Sequence, residues 1–194
     1  NITSTSNGSK THLFGESCMY MFQGKYDLID NEVSHYQFED GFLIPYGGKE
    51  IAASKFYEDL LPNYSVWPVI PEAKIYTGYN DTLSLNEQYC GTFDLLFAAM
   101  GKDGVIRPFM ADWKTNKSLV SDYNRAHGKM MLPPFENLVD EPLSHYTIQL
   151  SLYAMGLEQL GYEMTHRIII WLKEDGTYEK IPVKDVRPLL KKVL

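Results

Sequence analysis

Gly91-Thr92-Phe93-Asp94-Leu95-Leu96-Phe97 and Phe109-Met110-Ala111-Asp112-Trp113-Lys114-Thr115 are two apolar, strand-like stretches, each interrupted by one aspartate. A buried carboxylate is costly unless it is paired, so a strand holds one only beside a counter-charge, a metal or a reacting group. Gly101-Lys102-Asp103-Gly104 reads as a hairpin turn between them. That turn makes the two stretches antiparallel neighbours and sets Asp94 beside Asp112. Oxygen ligands so placed suit Mg2+ or Mn2+. Strand alternation turns Lys114 to the same face as Asp112. There a lysine can orient a water, deprotonate it as the neutral amine, or as the ammonium offset charge on phosphoryl oxygens. Trp113 points the other way and offers its backbone carbonyl as a ligand. Asp-x-Lys tripeptides also arise as surface pairs at strand ends; the upstream Gly-Thr-x-Asp strand singles this one out.

Outward from this pair, Gly8 to about Phe22 reads as a helix after a Ser/Thr-rich lead. Lys49 to Leu61 reads as a second helix, with Ile51, Phe56, Leu60 and Leu61 on one face and Pro62 closing it. Strands are predicted over about 67–79, 88–100 and 105–114. Leu143, Tyr146, Leu150, Tyr153, Leu157 and Leu160 recur at spacings of three and four, one face of a helix that Gly161 ends. Strands follow over 167–172 and 177–183, and a short helix from about Val186. The order helix, three strands, helix, strand predicts an α/β fold with a central mixed sheet flanked by helices. About 116–142 is a long polar insertion, and such excursions tend to be functional or mobile.

The 194 residues suit a single domain by the usual ~150 residues per domain. Eighteen Lys and Arg against 25 Asp and Glu give a formal charge of −7, unlike a non-specific nucleic-acid binder. Cys18 and Cys90 are too few for a disulfide framework, a four-thiolate zinc site or an iron–sulfur cluster. No apolar run reaches the ~20 residues of a membrane span. Asn1-Ile2-Thr3-Ser4 shows neither an initiator Met nor a signal-peptide pattern, so the chain is expected to be a fragment, or one numbered from an internal start. An intracellular, reducing compartment is expected.

Four motifs in order, Gly8-Ser9-Lys10-Thr11-His12, Gly91-Thr92-Phe93-Asp94, Asp112-Trp113-Lys114-Thr115 and Gln149-Leu150-Ser151-Leu152-Tyr153, resemble the PD-(D/E)xK nuclease superfamily. The closer likeness is to its RecB-like branch, which includes many phage exonucleases, and it covers about residues 8–182. The resemblance implies a restriction-endonuclease-like core and a Mg2+- or Mn2+-dependent deoxyribonuclease, of exonuclease type, acting in recombination, repair or phage replication. It implies His12, Asp94, Asp112 and the Trp113 carbonyl as metal ligands, with Asp94, Asp112 and Lys114 catalytic. Glu16, one turn after His12, and Glu72, where many relatives carry a Glu, are secondary candidates. Gln149 and Tyr153 would hold the nucleic-acid backbone or the site's geometry.

The branch with an iron–sulfur cluster needs four cysteines, so no cluster is expected here. Thr115, Lys117, Arg125 and Lys129, in or beside the insertion, are candidate phosphate contacts, with DNA ends as the expected partner, and a recombination or replication protein as a further one. A bacterial cytoplasmic, phage-encoded setting fits that branch, and no membrane partner is expected. Two alternatives keep the fold: a decayed nuclease scaffold that binds nucleic acid or protein, and an RNA-directed endonuclease. Carboxylates gathered in one pocket repel phosphate until a cation neutralises them. DNA binding is therefore expected to be weak in EDTA and to rise with Mg2+ or Ca2+ in a gel-shift titration.

Overall fold

A computed structural model describes residues 2–29, 38–40, 42–63, 65–77, 88–164 and 166–194, with side chains from Gly8 onward except Phe38. The end of the expected strand at 78–79 lies outside these residues. The elements are α1 (Ile2–Phe22), a 3-10 turn (Tyr26–Leu28), β1 (Phe38–Glu39), β2 (Phe42–Leu43), α2 (Gly48–Leu60), β3 (Val66–Tyr76), β4 (Cys90–Met100) and β5 (Ile106–Lys114). Then come α3 (Asp122–Ala126), α4 (Pro142–Gln159), β6 (His166–Leu172), β7 (Tyr178–Pro182) and α5 (Arg187–Leu190). Helix α1 thus starts at Ile2 rather than Gly8, because the Ser/Thr-rich lead continues the helix instead of capping it.

The sheet order is β3-β4-β5-β6-β7. Only β5 and β6 run parallel, so the sheet is mixed, and that parallel pair is bridged by α3 and α4. The expected hairpin joins β4 to β5: Gly104 has φ +75° and Asp103 accepts from the Val105 N–H at 3.1 Å. Helices α1 and α2 cover one face, packing on Leu95, Phe97, Phe109, Ala111 and Trp113. Helix α4 covers the other, packing on Ala73, Phe93, Met110 and Ile169. Among the described residues no helix is long and apolar enough to cross a membrane.

Helix packing differs in detail from the apolar pattern. Helix α2 buries Ala52, Ala53, Phe56 and Tyr57 and leaves Ile51 exposed. Small side chains let it sit close, and a Cβ on Gly48 would overlap the Glu174 carbonyl. Helix α4 buries Leu150, Tyr153 and Leu157 as expected, together with Thr147, Ser151 and Ala154, while Leu160 lies past its end and is exposed. The insertion is an ordered excursion. Glu141, buried, takes two hydrogen bonds from Arg125, both at 2.8 Å, and one from the Ser121 N–H.

The tightest junction lies under α1. Trp113 is 1 % exposed, with Phe56 and Tyr57 edge-on at 5.2 and 5.8 Å between ring centroids. Gly15 presses on its indole, and the Gly15 carbonyl accepts from the Tyr57 hydroxyl at 2.8 Å. A Cβ on Gly15 would stand 2.5 Å from Trp113 Nε1. Gly15→Ala is therefore expected to destabilise by about 1–3 kcal/mol, overriding its gain in helix propensity. Gly8→Ala in the same helix meets only Thr115 Oγ1, at 3.4 Å, and should be neutral or stabilising. Thermal melting of the two variants separates these outcomes.

Candidate metal centre

The buried stripe of α1 runs through Thr11, Phe14, Cys18 and Met21. His12 and Glu16, four residues apart, share its flank and stay half-buried above the sheet. Below them the sheet is creased. In β4, Leu95 and Phe97 face α1 and α2, yet Phe93 packs on the α4 side. An unbroken strand would put Phe93 and Leu95 on one face. The fold in β4 is at Asp94. In β3 it is at Glu72, which lies between the pairs Pro71–Leu95 and Ala73–Phe93 and has φ +49°. A left-handed glutamate is disfavoured and persists only where its surroundings impose it.

At this crease the β4–β5 ladder ends with Leu95 opposite Ala111. Two carboxylates then take over the free amides. Asp94 Oδ2 accepts from the Trp113 N–H at 2.7 Å, and Asp112 Oδ1 accepts from the Asp94 N–H at 3.3 Å. His12 Nδ1 lies 3.0 Å from Asp94 Oδ1. Lys114 donates to Asp112 Oδ2, and its ammonium stands 4.2 Å over the Tyr146 ring of α4. Asp94 and Asp112 are both buried.

His12, Glu72 and Asp94 each offer a ligand atom, and these atoms lie within 4.8 Å of one another. They open into a cleft of about 380 Å³ that Glu16 also lines. Two carboxylates and an imidazole form a hard donor set able to hold a divalent metal ion. Glu72, a secondary candidate in the sequence, is thus in the group. Asp112 and Glu16, the other acids expected of the site, are outside it. Asp112 stands behind Asp94 and holds Lys114. Trp113 meets the site through its N–H, which donates to Asp94.

The charges reflect the crowding. Burial, then the neighbouring Asp94 and Glu16, push the Glu72 carboxyl up to about 7. Burial and Asp94 push Asp112 up to about 6 against the pull of Lys114. Burial works against both members of the His12–Asp94 pair, but their contact wins: Asp94 sits below its ordinary range and His12 above.

The remaining motif residues serve packing. A Cβ on Gly91 would stand 2.2 Å from Tyr153 Cε1, and Gln149 donates to the Tyr153 hydroxyl at 3.0 Å. Gln149 and Tyr153 therefore seat α4 against β4. Of the expected phosphate contacts, Arg125 is committed to Glu141, and Lys129 lies 4.7 Å over the Tyr123 ring. Thr115 abuts Gly8 of α1, and Lys117 is exposed. Comparison of the chain with protein-family models and with curated proteins returns no match.

Between pH 6 and 8 the folded chain binds more protons than the unfolded one, because Glu72, Asp112 and His12 all titrate higher when folded. Stability should therefore fall as pH rises through this window. A divalent ion displaces those protons and stabilises the folded form most at the higher pH. Melting in EDTA is expected to be higher at pH 6 than at pH 8, with the largest gain from Mn2+ at pH 8.

Proposed function

We propose that the chain is a metal-dependent deoxyribonuclease of exonuclease type, built on a restriction-endonuclease-like core and acting on DNA ends in recombination, repair or phage replication. The observation that carries this reading is the convergence of His12, Glu72 and Asp94 on one point, with the Asp112–Lys114 pair immediately beside them. The order of the four motifs along the chain supports it.

His12, Glu72 and Asp94 would hold Mg2+ or Mn2+, with Asp112 next to Asp94 able to join them. The ion supplies a Lewis acid for a phosphoryl oxygen and lowers the pKa of water. The chain's own groups do the rest. Asp112 anchors the Lys114 ammonium, and the Tyr146 ring restricts it from the far side. So held, Lys114 orients the attacking water and offsets charge on the phosphoryl oxygens. A water O–P bond forms as the P–O bond to the leaving sugar breaks. One water proton is lost to the site and one is gained by the leaving alkoxide. His12 stays fixed through Asp94, which in turn is fixed by the Trp113 N–H.

The alternative of a decayed scaffold has less support, because both aspartates and the lysine stand in mutual contact. Asp112→Ala and Lys114→Ala are expected to lower kcat by about 10²–10⁴-fold, with Lys114→Ala retaining Mn2+ binding by calorimetry. End-labelled linear DNA should be degraded and covalently closed circles spared. Wild-type cleavage rates in either variant would overturn the proposal, and a panel of DNA and RNA substrates distinguishes the RNA-directed reading.

A further inference from the structure

A groove of about 940 Å³ lies off the carboxyl ends of β5 and β6. Lys49 enters it from the first turn of α2, Lys117 from the segment after β5, and Lys173 from the turn after β6. Three lysines from three separate elements thus line one groove in a chain of net charge −7.

Its floor is built. The Asn116 carbonyl accepts from Trp171 Nε1 at 2.8 Å, and its side-chain oxygen accepts from the Tyr146 hydroxyl at 2.9 Å. The Lys173 ammonium stands 4.8 Å over the Trp171 ring and donates to the exposed Glu179 Oε2 at 3.0 Å. One wall is fixed where Gly48 packs on the backbone of Glu174.

Two acids also line the groove, and both are engaged. Glu174 is mostly exposed and pairs with Lys49 at 2.9 Å. Asp175 accepts from the Thr177 N–H and hydroxyl at 2.9 and 2.6 Å. Lys117 has no ion-pair partner among the described residues.

The groove lies close to the metal centre. Gly8 lines the cleft of His12, Glu72 and Asp94, and a Cβ there would touch Thr115 Oγ1, which lines the groove. The chain itself runs from Asp112 and Lys114 into Thr115 and Lys117.

We propose that this groove binds the phosphodiester backbone of a nucleic-acid strand, on one side of the phosphate held at the metal centre, through Lys49, Lys117 and Lys173. This assignment rests on the nuclease reading and adds Lys49 and Lys173 to the expected Lys117: Arg125 is held by the buried Glu141, whereas the partners of Lys49 and Lys173, Glu174 and Glu179, are exposed. Ammonium groups on flexible stems match a repeating anion without reading its sequence.

The test is binding of a short labelled single-stranded oligonucleotide to the full chain in Ca2+ between about 50 and 200 mM salt. Lys117→Gln should reduce the slope of log affinity against log salt by about 0.7, and the triple variant with Lys49→Gln and Lys173→Gln by about 2. The triple variant should also bind roughly 10–100-fold more weakly within that salt range. An unchanged slope in the folded triple variant overturns the proposal. If that variant fails to fold, Lys117→Gln decides, because an exposed side chain without a partner can be changed at little cost to stability.

Hydrolysis of bis(p-nitrophenyl) phosphate by the wild-type protein with Mn2+ is followed in parallel. It tests the metal centre with a diester too small to span the groove. Hydrolysis with an unchanged salt slope overturns the groove and keeps the nuclease. A lysine-dependent slope without hydrolysis of either substrate supports the groove and overturns the nuclease. No binding and no hydrolysis overturns both.

Discussion

The crossed hydrogen bonds by which Asp112 accepts from the Asp94 N–H and Asp94 from the Trp113 N–H are the constraint on which the rest of the site depends. Two neighbouring strands stop exchanging backbone hydrogen bonds at Leu95 and Ala111, and two side chains finish the ladder instead. Each carboxylate satisfies an amide that the parting strands leave open, so neither strand amide is buried unpaired. The same contact holds two acids close together inside the protein, which is affordable only with cations at hand. His12 and Lys114 supply them from opposite sides, one on α1 and one on β5.

Close backbone approaches keep these cations in place. Gly15 lets α1 lie directly on the Trp113 indole, which sets how far His12 reaches over the sheet. Gly91 lets Tyr153 lie on β4, which sets α4 and with it the Tyr146 ring over Lys114. Gly8, which lines the cleft, meets Thr115, which lines the groove. The glycines and aromatics of the motifs are thus packing partners of one another, while the acids, histidine and lysine carry the charge. Glu72 adds a local cost: its left-handed backbone folds β3 over at the level where β4 folds, and this points its carboxylate at Asp94.

The electrostatics divide the surface into two adjoining zones. At the cleft and just beside it, burial and then the neighbouring Asp94 push Glu72 up to about 7 and Asp112 up to about 6. The groove beside it gathers lysines although the chain as a whole is acidic. Net charge is therefore a poor guide to what such a chain binds, because phosphate contacts are local and a bound cation inverts the sign of the cleft.

Much of this was legible in the residues themselves. Period-two stretches, the Gly101–Gly104 turn and the three-four spacing in 143–157 dictate the α/β order, and the strand alternation that puts Lys114 beside Asp112 is a local property of any extended chain. The aspartates announced themselves because a charge inside an apolar strand needs a reason. Other features arise only when distant segments meet. Glu72 reads only as a secondary candidate until β3 pairs with β4 and its backbone turns over. Arg125 reads as a candidate phosphate contact until the insertion closes on Glu141. Lys49 and Lys173 carry no local signal, since their groove exists only where α2 sits on the turn after β6. Sequence by itself determined the elements and the pair of buried acids, through periodicity and the cost of burying charge. Tertiary structure decided which acids share one cation site and which lysines share one groove, because ligand and anion geometry is set by strand register and helix seating across residues far apart in the chain.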